Sequence, residues 1–162
     1  MPRFASLLCL VSLGLLASCS SFDSRWDATP MPPRANPAAL AAGKWEGSWQ
    51  SDATDYSGHM QAIIMPTTTA LKNKEMVQQY SAEFRFRIYE LGFDEYTVTL
   101  TGSKLPDGRI RLEGKKDLGQ FKGGIIWFDG FVYPDKDELY CDYISEKDSG
   151  TYRMRRQVLE NQ

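Results

Sequence analysis

Few side chains in this 162-residue chain have the type and spacing to do chemistry, and each narrows what the protein does. There is one histidine, His59, so a catalytic triad or a metal centre built on several histidines is excluded. Asp135, Asp137, Glu138 and Asp142 gather oxygen donors of the kind calcium prefers. The twelve-residue loop with a central glycine and a terminal glutamate is missing, so a solvated hairpin accounts for them better. No Gly-x-Ser-x-Gly elbow and no phosphate loop occurs; Gly123-Gly124 lacks the lysine and helix of a phosphate cradle and marks a strand bend or bulge. No metal, cofactor or catalytic residue is therefore expected. The most ligand-like group is aromatic: Tyr80, Phe84, Phe86, Tyr96, Phe128, Tyr143 and Tyr152. These rings could line an apolar pocket with polar tips, or fill a small core solid; the short strands favour filling.

Charge points the same way. Lys+Arg is 19 and Asp+Glu is 21, a near balance that argues against a nucleic-acid partner, which would meet a basic surplus. Arg85, Arg87, Arg109 and Arg111 alternate with Glu83, Glu95 and Glu113 on the phases opposite the aromatics, as cross-strand ion pairs would.

The elements that must position these side chains are strands. Tyr80 to Ile88 alternates apolar and polar residues with period two, the pattern of a strand with one face on a core. Tyr96, Val98 and Leu100 repeat it, as do Ile110 and Leu112, then Leu139, Cys141 and Tyr143, then Tyr152 and Met154. Pro106-Asp107-Gly108, Pro134 to Asp137 and Lys147 to Gly150 supply turns. Eight strands are predicted, over 44–51, 58–66, 78–88, 95–104, 109–117, 123–133, 138–145 and 151–158. Ala70 to Gln79 is the best helical stretch and could add one turn before the third strand. The fold class is all-β. Short sequential hairpins predict an antiparallel up-and-down barrel, since closure removes both edges; a two-sheet sandwich, the rival, normally needs longer crossovers.

The N-terminus reads as a targeting segment. Arg3 precedes an uncharged run, Phe4 to Leu16, of about 20 Å as a helix, too short for a bilayer core of about 30 Å. It ends in Leu16-Ala17-Ser18-Cys19, which resembles the lipobox of bacterial lipoproteins. The resemblance implies cleavage before Cys19, a diacylglyceryl thioether on its sulfur and acylation of the freed amine, commonly by palmitate. Ser20 in place of the aspartate retention signal implies the outer membrane. The expected division is a signal peptide at 1–18, a lipidated, Pro-rich, disordered tether at 19–42 and a barrel domain at 43–162. Cys9 is then discarded and Cys19 carries lipid. Cys141 stands alone without a disulfide, as a small core residue.

At the start of the first strand, Gly47-Ser48-Trp49 resembles the Gly-x-Trp signature of lipocalins and the wider calycin barrels. In that family the tryptophan packs under a late arginine at the barrel floor. The resemblance implies closure by Trp45, Gly47, Trp49 and Arg156, with Arg156 stacking on Trp49 or Trp45. The chain departs from true lipocalins in being short, with no C-terminal helix and no disulfide, so no ligand is carried over. Haem-binding barrels of the nitrobindin type share such a start but use a late histidine, absent here, so His59 is expected on the surface or rim. The expected function is that of a membrane-anchored cell-envelope lipoprotein, non-catalytic, binding a small hydrophobic molecule or serving an envelope-structural role. The alternative is a calycin-type barrel enzyme with an interior acid or base.

Overall fold

Period-two patterning becomes eight antiparallel strands in the computed structural model, which describes residues 21–36, 39–72, 75–87 and 92–159. Residues 1–20, which hold the expected signal peptide, the Leu16-Ala17-Ser18-Cys19 run and the expected lipid site, lie outside the described residues. The strands are β1 (Gly43–Ser51), β2 (Ser57–Lys72), β3 (Glu75–Arg87), β4 (Phe93–Lys104), β5 (Ile110–Asp117), β6 (Ile125–Tyr133), β7 (Glu138–Ile144) and β8 (Ser149–Arg156). Each pairs with the next, and β1 also pairs with β8, closing the sheet into a barrel.

Closure depends on one close approach. Gly47 faces Met154 across the β1–β8 seam. A Cβ at position 47 would lie 2.0 Å from the Arg153 carbonyl oxygen, so only glycine lets these two backbones meet.

Alternation sorts the side chains. Trp45, Met60, Ala62, Ile64, Tyr80, Ala82, Phe84, Val98, Leu100, Leu112, Phe128, Val132, Leu139, Cys141, Tyr152 and Met154 form one buried interior cluster. Cys141 is a core residue, and burial pushes its thiol up to about 12, far from a nucleophilic thiolate. Two of the four outward arginines make cross-strand ion pairs, Arg85 with Glu95 and Arg111 with Asp129, whereas Arg109 pairs with Asp107 in its own hairpin.

Two stretches differ from the sequence expectation. The described residues of the Ala70–Gln79 stretch, 70–72 and 75–79, are strand and not a helical turn. They extend the β2–β3 ladder, with Ala70 opposite Val77 and Leu71 opposite Met76, beyond a register shift between Pro66 and Thr69. Pro66 has no N–H for the ladder, and the run Thr67-Thr68-Thr69 favours strand over helix. The tether is also more ordered than its prolines imply. Ser21–Ala28 is a helix, α1, on the outer wall of the barrel. Phe22 and Trp26 sit four residues apart, hence on one helix face, and stack at 5.9 Å. Phe22 is buried beside the Arg85 guanidinium, and the Lys44 ammonium lies 5.5 Å from the Trp26 ring. Arg25 pairs with Glu83, and Asp23 with Arg85. Ile63 lies between Lys44 and Glu83 in the sheet register, points outward and is nonetheless buried, so α1 covers it. The prolines all follow the helix and cannot break it. The segment after α1 runs to the β1 start, with Pro33 bridging Leu159 and Ala35 N–H donating to Asp137.

Candidate functional site

The two barrel ends differ in chemistry. At the end where β1 begins, Arg156 is buried and its guanidinium lies 4.6 Å from the Trp45 ring. Trp45 is itself fully buried and donates its indole N–H to the Ala41 carbonyl at 3.0 Å. Arg156 Nη2 donates to the Leu40 carbonyl, and Nε lies 3.6 Å from Asp137 Oδ1 in the β6–β7 turn. Burial pushes the arginine's pKa down, while Asp137 and Tyr80 push it back up. Side chains and the N-terminal segment therefore plug this end.

At the opposite end, where β1 finishes, a cavity of about 180 Å³ opens. Trp49, Phe86, Tyr96, Leu118, Ile126, Tyr143 and Tyr152 supply its walls, with Lys122, Ser145 and Asp148 at the edge. Trp49 packs edge-on against Phe86 at 6.1 Å and donates its indole N–H to the Arg87 carbonyl. Phe84 and Phe128, stacked at 5.9 Å, pack behind the cavity-lining Tyr96 and Tyr152 in the middle of the barrel.

The polar atoms of the cavity are phenols. The Tyr96 and Tyr152 hydroxyls meet at 2.9 Å. The Tyr143 hydroxyl donates to Asp148 Oδ2 at 2.8 Å, and the Ser51 hydroxyl donates to Oδ1 of the same carboxylate at 2.6 Å. Burial pushes Tyr96, Tyr143 and Tyr152 well above the ordinary phenol value, so all three stay protonated at neutral pH. They are hydrogen-bonding groups, not bases. Lys122 and Asp94 pair at 2.7 Å beside the opening.

The seven aromatics named from the sequence thus divide. Phe86, Tyr96, Tyr143 and Tyr152 line the cavity, Phe84 and Phe128 pack behind Tyr96 and Tyr152, and Tyr80, fully buried near Arg156, belongs to the plugged half. The four closure residues divide too. Trp45 is Arg156's partner and its direct neighbour across the seam; Trp49 faces Tyr152 instead and walls the cavity. His59 lies outward on β2, its Nε2 2.9 Å from Glu46. Glu138 pairs with Arg155, and among the described residues no group of three or more His, Cys, Asp or Glu side chains could hold a metal.

Sequence reasoning missed Leu118, Ile126 and Asp148. Ile126 shares the phase of Phe128 and was findable. Leu118 and Asp148 lie in connections, where no period marks which residues turn inward. A wider groove of about 430 Å³ crosses the outer wall past Lys115, Trp127, Asp129 and Ile144. It is a solvated surface between paired charges. Compared with family models, curated proteins and solved structures, the chain matches none.

A double-mutant cycle of Trp45→Leu with Arg156→Met should give a coupling of about 0.5–3 kcal/mol in urea unfolding. The Trp49→Leu cycle with Arg156→Met should be additive within about 0.5 kcal/mol, because four residues of strand, about 13 Å, separate their seam positions. Coupling at Trp49 and none at Trp45 would contradict the plug. The phenols add a pH dependence. Their folded pKa lies above the unfolded one, so stability is full below about pH 10 and falls above it, by about 1.4 kcal/mol per pH unit for each phenol. Tyr152→Phe should make that alkaline decline shallower; an unchanged slope would contradict burial of this hydroxyl.

Proposed function

We propose that the chain is a lipid-anchored cell-envelope protein of the outer membrane, calycin-like in architecture, whose barrel holds one small and mainly apolar molecule. The role is binding, not catalysis. The observation that supports this reading is the one-sided interior: a plugged half, a Phe84–Phe128 pair in the middle and an aromatic cavity with paired phenols.

The size of the cavity restricts the occupant. Sites for drug-sized ligands run from about 300 Å³ upward, whereas a cavity of about 150 Å³ holds benzene. At about 180 Å³ this cavity suits one ring or a short branched chain, and a haem or an entire lipid is too large. The Tyr96, Tyr152 and Tyr143 hydroxyls would select an occupant with one hydroxyl or carbonyl at its end. An enzyme would need an acid or base poised near neutrality; the tyrosines and Cys141 are pushed the other way. The anchor is carried by Leu16-Ala17-Ser18-Cys19. At about 0.8 kcal/mol per buried CH₂, two or three acyl chains would hold the protein on a membrane essentially permanently.

The test is calorimetric titration of the mature chain with p-cresol, a single methylated ring bearing a hydroxyl. One site is expected, with Kd between about 1 μM and 1 mM. Leu118→Trp, which fills the opening from a half-buried connection, should weaken binding by about tenfold or more. No binding to the parent chain, or equal binding to Leu118→Trp, would overturn the assignment.

A further inference from the structure

We infer that the barrel sits on the membrane with its open end toward the lipid, so that the cavity fills from the bilayer and not from the aqueous phase. This rests on the proposed acylation of Cys19. The carrying observation is where α1 begins. Cys19 precedes Ser21 by two residues, which span about 7 Å at most. The first turn of α1 is pinned high on the barrel wall: Phe22 and Asp23 both engage Arg85, whose guanidinium also lies 4.1 Å from the Phe93 ring. Phe93 is the first residue of β4 and belongs to the cavity end. The helix then descends, with Arg25 on Glu83 and Trp26 near Lys44 toward the plugged end. A lipid on Cys19 therefore leaves the protein beside the cavity opening. A free tether of 24 residues would have imposed no such orientation.

The surface at that end fits a bilayer. Phe121, in the β5–β6 connection, is 97% exposed, and Ile144, Phe93 and Ile125 are 61, 53 and 41% exposed. All four lie at the strand ends that surround the cavity. The plugged end also exposes apolar side chains, Met31, Leu71 and Leu159, so exposure alone does not choose between the ends; the position of α1 does. Charges beside the opening alternate in sign. Lys122 pairs with Asp94, and Lys147 lies among Glu146 and Asp148. Apolar insertion is thus the driving contact, and anionic lipid is not required.

The experiment uses the full acylated chain, purified from membranes and reconstituted in vesicles of zwitterionic phosphatidylcholine. A nitroxide is attached at Phe121→Cys or at Asp107→Cys in the β4–β5 hairpin of the plugged end; both positions are exposed, so folding should be unaffected. Collision with oxygen relative to a water-soluble nickel chelate reports depth. The label at 121 should lie about 5–10 Å into the interface, with a ratio severalfold above that at 107. Equal ratios, or a higher one at 107, on a chain carrying the lipid mass would overturn the orientation and leave the anchor standing. A mature chain without the lipid mass would overturn both.

Discussion

A guanidinium taken out of water is the constraint on which this structure turns. Burying an ion costs several kcal/mol even after relaxation, and Arg156 recovers that cost only from three partners on separate parts of the chain. Trp45 on β1 offers its ring face, Leu40 before β1 a carbonyl, Asp137 in the β6–β7 turn a carboxylate, and β8 supplies the arginine itself. Each partner is useful only if the sheet has closed and the N-terminal segment lies across its end. The seam makes that approach feasible, because Gly47 leaves room for the β8 backbone at two rungs from Trp45. The plug therefore reports closure and the N-terminal cap together.

An eight-stranded barrel encloses little more than its own side chains. With one half occupied by Trp45, Arg156 and Tyr80, and the middle by Phe84 and Phe128, free volume is confined to the other end. There the walls are aromatic and the polar atoms are paired with one another: phenol with phenol, phenol with Asp148. Such pairs lower the cost of an empty cavity, while the accepting phenol of the Tyr96–Tyr152 pair keeps its own O–H for an occupant. They also fix ring orientations, which keeps the cavity preformed.

The strands were legible because one face of each is buried and the other wet, and side chains alternate accordingly; Tyr80 to Arg87 is the plainest case. Arg156 was legible as an inward cation for the same reason, as was its choice between two tryptophans on one phase. Choosing Trp45 over Trp49 required the register of the β1–β8 seam, which no local pattern encodes. Asp137 read as a solvated turn residue because its partner is distant in sequence. The helix α1 was hidden by the prolines after it and by its brevity; its stability comes from Phe22 and Trp26 against the barrel wall, not from propensity. The Ala70–Gln79 stretch shows the reverse: a local helical hint lost to strand pairing beyond Pro66.

The central claim is that the interior is filled at one end and open at the other. Xenon enters apolar cavities without needing a hydrogen bond, so it reads free volume directly. A crystal of the mature domain held under xenon pressure should show density among Trp49, Phe86 and Tyr152, and none on the Trp45 side of the Phe84–Phe128 pair. Xenon between Trp45 and Arg156, or none at the Trp49 end, would contradict the account.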